Sequence, residues 1–397
     1  MTPSPEFKNS FGAFVPGDPV TCDGSASGPL TGMTFAAKDL FDVAGLVTGC
    51  GNPDWARTHE PATRNAWAVQ RLLDAGASLR GRTITDEISL GLLGHNQFQG
   101  TPVNPRAPDR LPGGSSSGSA AAVAGSVVTL ALGTDSGGSV RVPASFTGLY
   151  GLRPTHGRIP VEGLMTQSPS FDTIGFFARS ADVFEAVGRV LLAEHDDPVM
   201  PEKLLIAIDA LATANPAVAK TLGPAIARLR GAFSASEDIV LASEGLPVWK
   251  DHQRRLQQFE YASTFRDWID RVNPRFSFEV GRSLALASLL AEADVVGDRV
   301  FREEVRQRID TLLDDRFVLC LPTVPILPPR RDISLSAMAE AGSRIVTLTC
   351  IAGLTGLPQV NLPLGETPDG IPVGLSLIGW RSGDAALLRL AARLGAV

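Results

Sequence analysis

GGSSSGSAAAVAGSVVTLALGTDSGGSVRVPASFTGLYGLRP, residues 113–154, sets two Gly/Ser-rich turns on either side of one helix and one strand. The small residues Ser119–Ser126 predict the helix, with Ser116, Ser117 or Ser119 as its cap. Val127–Gly133 predicts the strand, and Thr134–Ser139 a second turn leading into another helix. Glycine permits positive φ and close approach of a ligand to the backbone. Successive N–H groups in such a turn form a nest for negative charge. An acyl-transfer enzyme needs such donors where a carbonyl oxygen becomes an oxyanion, together with a hydroxyl nucleophile and a base. Phosphate binding fits less well, because no Lys follows the glycines as GxxxxGK[ST] requires. Gly114–Gly118 matches the G-x-S-x-G of a hydrolase elbow. That elbow must follow a strand, and Arg-Ala-Pro-Asp-Arg-Leu-Pro before it is not a buried strand. Asp135–Gly138 resembles the Asp-Ser-Gly-Gly of chymotrypsin-like proteases, but the alanine-rich helix upstream does not belong to an all-β fold.

Outward from this stretch, elements alternate. Met33–Ala37 reads as a strand ending at Lys38, residues 64–75 as a helix stopped by Gly76, and Ser78–Thr85 as a strand. Residues 1–30 read as an irregular lead-in, and 99–118 as a Pro/Gly/Ser loop. Beyond residue 195 glycine thins out and charges interleave with apolar residues, which predicts helices over His252–Val272 and Arg282–Asp314. The strand Phe317–Leu321, the helix Ile345–Gly353, the strands Gln359–Leu364 and Val373–Ile378 and the helix Asp384–Leu394 complete the chain. This alternation predicts an α/β layer fold with a buried sheet. The expected organisation is one domain over 1–397, with a core from 30–190 and 315–397 and a helical segment over 195–314 as insertion or cap.

The pattern GGSSSGSAAAVA…LALGTDSGGSVRVPAS resembles the signature block of the amidase-signature family. The resemblance implies a central mixed, twisted β-sheet covered by helices on both faces. It also implies a Ser-Ser-Lys triad. The nucleophile is Ser139, closing the second turn. The bridging serine is Ser115, with a cis peptide opening the first serine run. The base is Lys38 within FAAKDLFDV, residues 35–43. The backbone N–H groups of Ser136, Gly137, Gly138 and Ser139 are the expected oxyanion hole. Lys38 serves as a base only when neutral, and burial among Phe35, Leu40 and Phe41 favours that form. Without the block, Lys38 reads as a surface lysine and the serines as a turn. Asp135 reads as a residue that fixes the loop.

LFDVAGLVTGCGNPDW, GGSSSGS and SFDTIGFFARS resemble indole-3-acetamide hydrolase-like amidases more than the tRNA-linked amidotransferases. The match is good over 30–185, fair over 315–395 and poor over 195–310. It implies a small apolar or aryl carboxamide, split to carboxylate and ammonia. Leu92, Leu164, Met165, Thr166 and Phe171 flank the catalytic loops and are the expected pocket. The alternative is a glutaminase of the amidotransferase type, working in a complex with partner chains. A non-catalytic module on the same fold is disfavoured, because both the lysine and the nucleophile stand.

The bulk properties are those of a soluble enzyme: 44 % hydrophobic and 20 % charged residues with net charge −6. The balance argues against a nucleic-acid partner and leaves no polybasic membrane patch. Residues 1–17 show no basic region followed by an apolar run, which predicts a cytoplasmic enzyme. Cys22, Cys50, Cys320 and Cys350 have no metal-ligand spacing and read as reduced thiols. No metal or cofactor is expected. None of the five histidines is needed; His195 and His252 are expected on the surface, and His95 and His156 in loops that could line the site. No feature decides the oligomeric state, and a homodimer is compatible with the sequence.

Overall fold

TFAAK, Thr34–Lys38, forms strand β1, and every residue after Thr34 is buried. In the computed structural model, which describes residues 11–17, 20–194 and 196–395, β1 pairs in parallel with β2 (Ser78–Thr83) and β3 (Leu130–Thr134). The sheet continues through β4 (Tyr150–Arg153), β5 (Ile174–Ala178), β6 (Lys203–Ala207), β7 (Ala235–Ile239), β8 (Phe317–Pro322), β9 (Gln359–Glu366) and β10 (Pro372–Ile378). The spatial order is β2-β1-β3-β5-β4-β9-β10-β8-β6-β7. Pairings are parallel at both ends and antiparallel from β3 to β8, so the sheet is mixed.

Alternation along the strands builds two cores. Phe35, Ala37, Leu130, Leu132, Leu204 and Ile206 face one side, against the helices Trp67–Asp74, Ala181–Leu192, Pro216–Ala232 and Asp384–Gly395. Ala36, Ala131 and Leu205 face the other. There the helix Ser117–Ala124 is buried along nearly its whole length, which only its small side chains permit. The helices Leu246–Val272, Val296–Leu312 and Leu335–Thr355 cover the β6–β8 half of that face.

Several expectations are corrected. The segment 195–314 is not wholly helical: β6 and β7 lie in it and extend the sheet. KLLIA is a short buried strand, and ASEDI is an exposed edge strand whose charges mask its type. The single helix expected over 282–314 is two, Phe278–Ala287 and Val296–Leu312, broken by a 3₁₀ turn at Glu292–Val295. The helix expected over 345–353 begins at Leu335. No serine side chain caps the helix 117–124. The Ser116 hydroxyl instead exchanges hydrogen bonds with the Thr134 backbone, and Ser119 bonds Leu132 O at 2.8 Å. His195 and residues 1–10 lie outside the described residues. No helix among the described residues is long and apolar enough to cross a membrane.

Candidate active site

The C-terminal ends of β1 and β3, side by side and parallel, make the floor of the site, as ligand sites in α/β sheets gather at the carboxyl ends of strands. Lys38 closes β1 and Thr134 closes β3. Lys38 Nζ lies 2.7 Å from Thr134 Oγ1, 2.6 Å from Ser115 Oγ and 3.1 Å from Ser89 Oγ. Ser89 Oγ and Ser115 Oγ are 2.8 Å apart. Lys38 and Ser115 are fully buried. The peptide Gly114–Ser115 is cis, as the resemblance implies. Glycine is required there, since a Cβ on Gly114 would stand 2.4 Å from Asp86 Oδ2.

The second turn carries Ser139. Its carbonyl accepts the Ser116 N–H at 3.3 Å, which stitches the two turns together. Its hydroxyl has no hydrogen-bond partner among the described residues, and the residue keeps a small exposed area of 3 %. Asp135 holds the turn. Its carboxylate accepts N–H bonds from Gly138 (2.9 Å), Val140 (3.1 Å) and Arg141 (3.2 Å), and binds the guanidinium groups of Arg141 and Arg153. Gly138 sits at φ +131, a conformation glycine allows. Because the Gly138 N–H is already bonded to Asp135, the expected oxyanion donors narrow to Ser136, Gly137 and Ser139. Asp172 accepts from the Ser136 hydroxyl and from the Gln167 and Ser168 N–H groups. Thr349 donates to Gly137 O at 2.6 Å.

Burial pulls Lys38 from its ordinary 10.5 down to about 7, against the opposing pull of Asp86, Asp135, Asp172 and Cys50. Burial also pushes Asp86 well up, although N–H groups of the Leu93–Gly94 turn and the charge of Lys38 oppose it. Burial acts upward on Asp135 too, but Arg141 and Arg153 outweigh it and hold the carboxylate well below its usual range. The lowered value brings the neutral amine within reach of neutral pH. The arrangement is therefore a buried amine able to take a proton from a hydroxyl it touches, beside open backbone donors.

The expected pocket residues separate. Leu164 and Met165 pack in an apolar cluster with Leu40, Cys50, Ile88, Trp55, Tyr261, Phe265 and Trp268. Leu92 belongs to a different cluster, and its carbonyl accepts the Gly114 N–H at 2.9 Å. Thr166 is half-buried. Phe171 lies in a third cluster, with Leu205 and Leu319, and the Arg302 guanidinium stands 4.0 Å from its ring centre. None of the described histidines hydrogen-bonds Lys38, Ser115 or Ser139. His95 is exposed and bonds Thr101, His156 bonds Pro169 O, and His252, half-buried rather than on the open surface, bonds Asp298. Sequence reasoning missed Ser89, Thr134 and Asp86. Thr134 lies inside the quoted block 113–154; Asp86 and Ser89, three residues apart, carry no motif signal.

Known proteins share this chain's sequence pattern and fold. The amidase family model matches residues 19–244 and 240–388. Amidase 1 of Arabidopsis thaliana is 38 % identical over 421 residues, covering 98 % of this chain and 99 % of that protein. One component of the glutamyl-tRNA(Gln) amidotransferase of Haloarcula marismortui is 31 % identical over 425 residues, covering 94 % and 97 %. A crystal structure of an amidase superposes with a TM-score of 0.83 at 30 % identity, covering 93 % of this chain and 85 % of that one.

Proposed function

The chain belongs to the amidase family, hydrolases of amide C–N bonds, and we propose that it cleaves a small apolar or aryl carboxamide through an acyl-enzyme on Ser139. The observation that carries this reading is the buried Lys38 amine, 2.6 Å from the Ser115 hydroxyl. Neutral Lys38 takes the Ser115 proton as Ser115 takes that of Ser139. The Ser139 oxygen bonds to the carbonyl carbon, and the oxyanion forms against the N–H groups of Ser136, Gly137 and Ser139. Collapse breaks the C–N bond, and the proton held on Lys38 returns through Ser115 to the leaving nitrogen. Water then attacks the acyl-Ser139 ester by the same relay and releases the carboxylate and Ser139. The Ser139–Ser115 contact closes when substrate binds, as catalytic hydrogen bonds commonly do.

The substrate reading rests on Leu164 and Met165, partly exposed apolar side chains packed on the buried cluster of Leu40, Ile88, Phe265 and Trp268. Pockets of this kind hold apolar ligands and use a few polar groups for orientation. Gln257 supplies one, since its side-chain amide lies 3.5 Å from the place a Cβ on Gly137 would occupy. Indole-3-acetamide is the compound to test first. Ammonia release should be measured over a panel of aliphatic, aryl and charged amides, with glutamine included. Preference for aryl and apolar amides, with KM raised by Met165→Trp, is the expected result. Turnover of glutamine alone, and only with a partner protein present, would replace this reading with that of an amidotransferase component.

A further inference from the structure

We propose that Ser89 is a positioning residue of the catalytic centre, a fourth hydroxyl that orients Ser115 and supports the protonated state of Lys38. The proposal rests on the Ser139–Ser115–Lys38 reading. Ser89 lies 51 residues from Lys38 in sequence, yet its Oγ stands 3.1 Å from Nζ and 2.8 Å from Ser115 Oγ. It is 4 % exposed.

The backbone that brings it there is unusual. Ile88 has φ +40 and Ser89 φ +64, two successive residues with side chains in the left-handed region. Such conformations are costly, persist only where surroundings hold them, and cluster at functional sites. Here the holding contacts are visible. The Ile88 N–H donates to Cys50 O at 2.8 Å, the Ser89 N–H to Asp86 O at 2.9 Å and the Leu90 N–H to Glu87 O at 2.9 Å. Ile88 is fully buried in the apolar cluster that also holds Leu40 and Phe265. The carboxylate of Glu87 is anchored by Asn52 and Ser277.

The proton inventory assigns the role. A neutral amine has one lone pair and two N–H groups. The lone pair accepts the Ser115 O–H, and the two N–H groups donate to Thr134 Oγ1 and Ser89 Oγ. The Ser89 hydroxyl then donates to Ser115 Oγ, so the Ser115 proton has one direction left, towards Nζ. After transfer, the ammonium has three N–H groups and meets three oxygens: Thr134, Ser89 and Ser115. Ser89 thus sets the direction of the first proton transfer and accepts from the charge it creates. Hydrogen bonds to an ionised group are roughly twice as strong as neutral ones, so Ser89 favours the ammonium over the amine. The other groups that act on Lys38 are Asp86 on the same turn, Asp135 on the second turn, Asp172 before β5 and Cys50 after β1, all of which raise it.

Ser89→Gly is the informative variant, because glycine adopts φ +64 without strain while removing the hydroxyl. With the best aryl amide as substrate, kcat should fall roughly 10- to 100-fold with KM little changed. The acid limb of kcat/KM should move to lower pH by about half to one unit, because the ammonium loses an acceptor. Ser89→Ala should show the same shift. An unmoved limb in a folded Ser89→Gly enzyme, whether or not kcat falls, overturns the proposal and leaves Ser89 a structural residue. Lys38→Ala and Ser139→Ala run in parallel separate the two readings. If both are inactive and Ser89→Gly behaves as wild type, Ser89 alone is misassigned. If Ser139→Ala still turns over, the triad reading fails and this proposal falls with it.

Discussion

β1 delivers Lys38, fully buried, into a ring of hydroxyls rather than to a carboxylate, the setting that the proposed base requires. Burial favours the neutral amine, so the folded pKa lies below the unfolded one. In the proposed mechanism the active form is the deprotonated one. Activity should therefore rise through an acid limb centred near pH 7 and level off above it; a profile flat from pH 6 to 9 would remove Lys38 from this role. The same shift makes Lys38 a cost to stability at and below neutral pH, relieved as pH rises from about 7 towards 10.5. Asp135 has the opposite character. Its partners Arg141 and Arg153 are wholly buried, so Asp135→Asn should destabilise the fold by about 3–5 kcal/mol in denaturant titration, the cost of leaving buried charge uncompensated. Unchanged stability would show that the turn does not depend on it. The closeness of Lys38 and Ser115 was legible, because the motifs around them are specific in residue type. Ser89 was not, since ISLG has neither period nor motif and its role arises from a left-handed turn that only tertiary contacts hold.

At the scale of elements, β1, β3, the turn at residues 113–116 and the turn after β3 do the positioning, and the helix Ser117–Ala124 packs between them. Its run of small residues made the helix legible, expected over Ser119–Ser126 and found at Ser117–Ala124, but not its serine cap. The second half of the fold could not be read so directly. ASEDI carries two acids on a five-residue strand, and LSAMAEAGSR, the first half of the helix 335–355, is too polar and glycine-bearing to show a helical stripe. The helices Leu246–Val272 and Phe278–Ala287 cover the apolar side of the site and are joined by residues 273–277. Arg275 N–H and guanidinium groups bind Asp54, and Arg275 O accepts from Asn52 at 2.9 Å. Arg275→Ala should loosen this clamp. Amide exchange over 273–287 should quicken, and KM for an aryl amide should rise a few-fold with kcat nearly unchanged. Unaltered exchange would mean that the clamp rests on Glu87 and Ser277 alone.

Among the described residues one ten-stranded sheet runs through the molecule, and its two ends are protected differently. At the β2 end the N-terminal segment lies along the strand, with the Val15 N–H on Arg82 O and Cys22 and Leu79 exchanging hydrogen bonds. At the β7 end the strand is exposed and carries Glu237 and Asp238, charges that discourage a second chain from pairing there. Between these ends the sheet brings residues 38, 89, 115, 134 and 139 to one place, and a single covalent event tests whether that place is an active site. The measurement is intact mass after incubation with a fluorophosphonate, on wild type and on Ser139→Ala, with aryl-amide turnover followed in the same samples. One adduct per wild-type chain, loss of turnover in step with labelling, and no adduct on Ser139→Ala is the predicted result. A Ser139→Ala protein that is still labelled and still hydrolyses the amide would contradict the account.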